Sequence, residues 1–438
     1  MFTAKDLRKL ILPLIVEQFL AVTIGMADTI MVASTGEAAM SSVSLVDAIN
    51  ILLINIFSAL ATGGAIVASQ YLGREDNKRA NVAAKQLLLV TTAMSAFIMA
   101  VCLIGRNPIL DLIFGKIEPE VMDNCRVYFF WSALSYPFLA VYNAGAALYR
   151  SMGNSKVSML TSTLMNAINI AGNALLIFGF HMGVAGAALA TVIGQAISCL
   201  TALVFSLRHR ADLGLLPRYL RPEAEMVKRT LKLGFPVALQ WTIASISWLV
   251  VLTLINKYGV TVSAGNGVSN KIRDFCQLFL SALTTGAGTM CAQCLGAGLY
   301  DRAEQVMKTC MKLALAMAAV IIVVAEVFAP QFAMIFTPDP EVQHWAVVNL
   351  RIEIVCQLFY AGMFTYNTLA TGSGHTVFIM WNSFLNCIVV RLILAVVLEH
   401  FLGIYGVYIA CGVAVASSVP VGWWFYRSKR WMTMKNIH

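Results

Sequence analysis

The stretch Ser58-Ala-Leu-Ala-Thr-Gly63…Gln70-Tyr-Leu-Gly73 returns 223 residues later as Ser281-Ala-Leu-Thr-Thr-Gly286…Gln293-Cys-Leu-Gly296. The same offset pairs Lys9 with Lys232, Pro13 with Pro236, Arg79 with Arg302, Lys85 with Lys308 and Met94 with Met317. Near the ends of the two halves, Gly183-Val-Ala-Gly186 echoes Gly403-Ile-Tyr-Gly406. The chain is therefore read as an internal duplication. Each copy of the repeated stretch sits in a long apolar run, and the count of such runs sets the architecture.

Twelve runs are legible, at 10–33, 44–71, 86–104, 124–149, 157–179, 184–207, 233–256, 266–294, 309–330, 345–370, 376–398 and 404–426. About 20 apolar residues span a bilayer core as a helix, and continuous runs exclude the alternating pattern of a membrane barrel. Six runs separate equivalent points, so the two halves share one orientation, a parallel repeat about the membrane normal. The sequence predicts an all-α polytopic membrane protein of twelve transmembrane helices in two pseudo-symmetric six-helix lobes. Residues 1–207 form the first lobe, the basic stretch 208–232 a cytoplasmic linker, and 233–438 the second lobe.

Composition agrees. Of 438 residues, 59% are hydrophobic and 12% charged, with a mean hydropathy of +0.76. A soluble domain carries about 25% charged residues. A water-soluble enzyme, a disordered chain and an ordinary nucleic-acid binder are all excluded. The net charge of +9 has a topological cause, because 23 of the 31 basic residues fall on one side, in 5–9, 74–85, 150–156, 208–232, 302–312 and 427–435. The positive-inside rule puts both termini in the cytoplasm, which an even number of crossings satisfies. The first apolar run meets no small-residue cleavage site and reads as a span, not a signal peptide. The pair Cys291 and Cys294 has no second pair to complete a metal site and reads as helix packing.

Two like-oriented lobes suggest a carrier that opens to each side in turn. A membrane-embedded transferase would need an acid pair or metal loop outside the lipid, and the short loops hold only scattered acids such as Asp111, Glu118 and Glu120. No enzyme activity and no cofactor are expected.

Ionisable groups within spans are costly and point to function by default. Asp28, in Gly25-Met-Ala-Asp28-Thr-Ile-Met31, lies in the outer third of span 1, fifteen residues after Pro13. Pro13 removes a helix hydrogen bond and can bend the inner half of that span. A desolvated Asp28 would take up and release a proton, or hold sodium with neutral oxygens nearby; the alternative is that it snorkels to the outer headgroups. Span 5 offers Asn166, Asn169 and Asn173, the last two on one helix face. Span 6 offers Thr191 among small residues that permit close helix contact. The asparagines read equally as interhelical hydrogen-bond glue.

In the second half, Glu353 in span 10 and Arg391 in span 11 lie at similar depth, roughly 10–12 Å below the outer surface, and are expected to pair. Lys271, Arg273 and Asp274 near the outer start of span 8 line a cleft mouth or are interfacial. Glu17 and Asp47 are candidate cleft residues, neither with an obvious partner.

The motifs Pro13…Met26-Ala-Asp28-Thr-Ile-Met31, Gln70-Tyr-Leu-Gly73 with its repeat, Arg150-Ser-Met-Gly153 and Thr371-Gly-Ser-Gly374 resemble the multidrug and toxic compound extrusion (MATE) family, bacterial NorM/DinF-like members in particular. The resemblance covers nearly the whole chain. It implies a V-shaped central cleft and a cation-coupled antiporter that exports amphiphilic, often cationic organic compounds. The coupling ion would be sodium or a proton. By position the family's N-lobe cation site becomes Asp28, Asn169, Asn173 and Thr191, with sodium at Asp28, Asn169 and Asn173, and Pro13 matches the bending proline. Asn173 stands where some members carry Asp, and the C-lobe acid of NorM-type members falls near Ala244, so that part of their scheme is absent. Glu353 approximates their second C-lobe acid. A monomer in a bacterial cytoplasmic membrane is expected, with no nucleic-acid partner; a lipid-linked precursor flippase is the alternative of the same two-lobe plan.

Overall fold

The computed structural model describes residues 11–20, 31–32, 34–115, 117–208 and 222–433. These residues form helices joined by short turns, and no strand occurs among them. In chain order the first unit holds α1 (Ile11–Leu20), α2 (Glu37–Gly73), α3 (Asn77–Ile104), a short α4 (Arg106–Phe114), α5 (Pro119–Ser151), α6 (Ser155–Asn173) and α7 (Gly183–Arg208). Then come α8 (Ala224–Asn256), α9 (Val260–Gly296), α10 (Tyr300–Phe336), α11 (Pro340–Ile354), α12 (Gln357–Gly372), α13 (Thr376–Phe384), α14 (Arg391–Leu402), α15 (Ile404–Ala414) and α16 (Ser418–Arg427).

Nine of these helical stretches are long and apolar enough to cross a membrane, and the pair α11–α12, bent by 50° at Val355 and Cys356, makes a tenth. Tyrosines, serines, Asn143 and Pro137 lower the hydropathy of α5, but its 33 residues are ample for a crossing. With the partly described first span, the twelve runs are accounted for. Helices overrun the apolar runs at their basic ends, as at Asn77–Lys85, Ala224–Lys232 and Tyr300–Lys308. Lys, Arg, Ala and Gln are good helix formers in water, so the helix continues where the lipid stops. Caps mark the starts: the Asp76 carboxylate accepts from the Arg79 amide at 3.0 Å, and Asp339 from Glu341 at 2.9 Å. Pro119 and Pro340 occupy the first turns of α5 and α11, where a missing N–H costs nothing.

The chain divides into two compact units, the first ending at Phe235 and the second starting at Pro236. That division falls within α8, whose first turns pack on the first unit: Arg229 donates to the Tyr71 hydroxyl at 2.7 Å, and a Cβ on Gly63 would meet the Gly234 amide nitrogen at 2.6 Å. The backbone repeats as the sequence does. Positive φ occurs at the paired positions Gly36 and Gly259, Gly153 and Gly374, and Gly183 and Gly403. It also occurs at Glu75 and Gly298, where the first unit places an ordinary residue in a conformation that favours glycine.

Each unit packs through small residues and shows large apolar ones outward. In α10, Ala303, Ala314, Ala318, Ala325, Ala329 and Ala333 are buried, while Val320, Val323 and Val327 are exposed. Lipid is as apolar as these valines, so close backbone approach, not oil-drop burial, holds such helices together. All ten cysteines are free, and the thiol of Cys291 leans on the Ala303 carbonyl at 3.7 Å.

Candidate functional site

The first polar cluster lies between α6 and α7. Three glycines bring these helices together: a Cβ on Gly172 would lie 2.8 Å from the Ala190 Cβ, one on Gly186 3.1 Å from Leu176, and one on Gly194 3.0 Å from the Met165 carbonyl oxygen. At that separation the Asn169 amide donates to the Thr191 hydroxyl at 2.9 Å, and the Asn173 amide reaches the Asn169 oxygen at 3.4 Å. Thr191 donates back to its own helix at the Ala187 carbonyl, 3.1 Å away, so its remaining oxygen lone pair is directed at Asn169. Asn173 is fully buried, immediately before the wide turn Ala174–Gly179 whose i→i+5 bonds interrupt the helix. Asn166 stands apart, donating to Ser162 at 3.4 Å. The cluster is a chain of neutral amide and hydroxyl groups, whose oxygens suit a hard monovalent cation once a carboxylate joins them. Asp28, the carboxylate expected there, lies outside the described residues. Pro13 is buried near the start of α1.

Span 1 does contribute a second carboxylate. Glu17 is buried, and Ser158 donates to its two oxygens at 3.0 and 2.9 Å. Arg150, from the Arg150-Ser-Met-Gly153 motif, lies 3.7 Å from Glu17 and 3.3 Å from the Ser158 hydroxyl. Glu17 shows no partner in the sequence because Arg150 is 133 residues away and the seryl bridge carries no charge signal.

In the second unit the pairing of Glu353 with Arg391 expected from their depths does not form. Glu353 forms an ion pair with Arg273 instead; both are buried. Arg273 also donates to Asn270 at 2.8 Å and lies over the Trp248 ring at 5.2 Å. One turn along, Asn349 donates to Asn266 at 2.7 Å. Rise per residue gives a depth along the helix and says nothing about azimuth. The wide turn Leu385–Val390 directly precedes Arg391 and rotates it relative to a regular helix; it ends buried beside Tyr360, Cys387 and Cys411. Lys271 and Asp274 are exposed on α9.

A third cluster was missed. On α2, Asp47 accepts from Asn50 at 3.0 Å and from the Tyr128 hydroxyl of α5 at 3.2 Å. Asn50 also donates to Ser132 at 3.3 Å and accepts from Tyr136 at 2.9 Å. The signal that finds it is the duplication itself, taken past the glycine motifs to the polar positions.

A family model described as MatE matches twice, over residues 13–175 and 236–397, one copy in each half. The chain belongs to the MatE family. Relatives of this MatE chain include the probable multidrug resistance protein YoeA of Bacillus subtilis, 26% identical over 90% of this chain and 86% of that one. The probable multidrug resistance protein NorM of Thermotoga maritima is 24% identical over 98% and 93%. A solved outward-facing multidrug resistance MATE family transporter of the MOP superfamily superposes with a TM-score of 0.92 at 19% identity, covering 99% of this chain and 97% of that one. The twelve-helix MATE fold and the multi-pass membrane character are thereby established. Several relatives of this MatE chain are named as multidrug resistance or multidrug export proteins.

Proposed function

We propose that this MatE transporter is a cation-coupled antiporter that exports amphiphilic or cationic organic compounds by alternating access. The coupling ion, sodium or a proton, binds Asp28 with Asn169, Asn173 and Thr191. The observation that carries this reading is the Asn169–Thr191–Asn173 cluster, three neutral ligands drawn together by glycine contacts in the half of the chain that supplies Asp28. Occupancy of Asp28 changes the packing of spans 1, 5 and 6, weakens drug binding in the outward-open state and releases the drug outside. Each charge moving inward through 100 mV supplies about 2.3 kcal/mol, enough to drive concentrative export. The protein works as a monomer in a bacterial cytoplasmic membrane with both termini inside.

The test is transport of a fluorescent organic cation by proteoliposomes with sodium and proton gradients imposed separately. One gradient drives accumulation, and Asp28→Asn abolishes it while the protein still inserts and elutes as a folded species. Full activity of Asp28→Asn removes Asp28 from the mechanism. A dye unmoved by either gradient favours a lipid-linked precursor flippase.

A further inference from the structure

The two units solve one polar interface in two ways. Positions 47 and 50 of α2 correspond, at the repeat offset of 223, to Asn270 and Arg273 of α9. Aligning the N-terminal prolines of α5 and α11, Pro119 and Pro340, sets Tyr128, Ser132 and Tyr136 against Asn349, Glu353 and Gln357. The contacts follow these equivalences. Asn50 touches Ser132 where Arg273 pairs with Glu353, and Asp47 touches Asn50 where Asn270 touches Arg273. The second unit thus neutralises its carboxylate with a guanidinium inside the same helix interface. The first unit carries its carboxylate in the same interface at the place of Asn270, and its partners among the described residues are neutral.

Asp47 lies within the membrane-crossing stretch Ala38–Gly73. Its two donors, Asn50 and Tyr128, both reach Oδ1. Tyr136, itself buried, donates to the Asn50 oxygen and so turns the amide nitrogen toward Asp47 and Ser132. Oδ2 has no protein partner among the described residues. The titratable side chains around the cluster are Tyr128 and Tyr136 of α5 and Cys102 of α3. Among the described residues α7, which also packs on α2, carries no charged residue between Gly183 and Leu207, and the charged first turns of α8 meet α2 only at Gly63 and Tyr71, more than four turns from Asp47. No Lys, Arg or His among the described residues comes within 4 Å of Asp47. An unpaired carboxylate at membrane depth either draws a counter-ion or binds a proton. The neutral neighbours here point hydrogens, not lone pairs, at Oδ1, which leaves Oδ2 for a proton and gives a metal ion no cage.

From this geometry we infer that Asp47, held by Asn50, Tyr128, Ser132 and Tyr136, is a proton-binding site of the first unit, separate from the Asp28 cluster. It rests on the antiport reading only for its contribution to transport, where it adds one proton per cycle to whatever Asp28 carries.

The binding claim is tested without transport, by infrared difference spectroscopy of the protein in nanodiscs during acidification. Asp47→Asn keeps the side-chain shape and removes one carboxylic C=O band that Asp28→Asn leaves in place. Asn50→Arg, which copies the second unit's guanidinium, also removes the band by holding Asp47 ionised. Tyr128→Phe deletes a donor to the ionised form and moves the band's midpoint up by about one pH unit. In proteoliposomes, Asp47→Asn lowers the protons taken up per exported substrate by one. A band that survives Asp47→Asn overturns the site, as does a band that sodium removes at constant pH. Loss of drug transport in the unaltered protein with the band intact sinks the antiport reading and leaves the site standing.

Discussion

Glu353 and Arg273 form a buried ion pair, and removing one partner leaves the other charge stranded in a low-dielectric interior. Glu353→Gln is expected to cost about 3–5 kcal/mol, whereas Arg273→Met with Glu353→Leu restores most of it. Thermal unfolding in detergent reads both. Arg391→Met combined with Glu353→Gln is expected to be additive within about 0.5 kcal/mol, because the two side chains are not partners. Glu75 gives a second residue-scale test: it holds positive φ where the repeat has Gly298, so Glu75→Gly raises the unfolding midpoint by an amount corresponding to about 1 kcal/mol and Gly298→Ala lowers it comparably. The sequence made these charges visible because ionisable groups are rare in lipid-length runs. Their partners were not visible, since a partner depends on helix azimuth and on neighbours 80 to 133 residues distant. Asn169, Asn173 and Thr191 were nameable for the opposite reason: two lie on one turn-spaced face and the third sits in a small-residue stretch.

At the scale of the element, the approach of α6 and α7 is set by glycine, and the polar contact follows from it. Gly194→Leu forces the helices apart at the Met165 carbonyl and breaks the Asn169–Thr191 bond. Drug export by that variant is expected to fall at least tenfold at unchanged membrane level, with Gly194→Ala intermediate; equal export by all three proteins would detach the cluster from transport. Apolar runs of lipid-spanning length stand out in the sequence, but interruptions inside them do not. Nothing in the run 345–370 announces the 50° bend between α11 and α12, because neither Gly nor Pro stands at Val355 or Cys356. The apolar runs leave α4 in a loop, its Arg106, Asn107 and Pro108 masking four apolar residues between Ile109 and Ile113.

For the whole molecule, the distribution of basic residues predicts which turns face the cytoplasm. A cysteine placed at Asp76 is expected to react with a membrane-impermeant thiol reagent only from inside, and one at Glu118 only from outside. The ten native thiols give little background, since nine are buried and Cys276 is half-buried. Reversal of the two labelling patterns would invert the topology. The two-lobe plan was legible because duplication leaves identical turn and glycine positions, and those are enforced by backbone geometry. What duplication concealed was divergence: Ser132 and Glu353 occupy one place in two copies and look unrelated until the helices are superposed in register. That divergence bears on how the protein is made. Arg273 emerges from the ribosome 80 residues before Glu353, which at roughly 5–20 residues per second is several seconds of waiting. During that interval α9 holds an uncompensated guanidinium, whose cost at its depth lies below the about 2.5–3.5 kcal/mol of a bilayer centre. Biogenesis of the second half is therefore committed late, and nascent chains truncated between α9 and α11 should remain extractable from the membrane or bound to the insertion machinery.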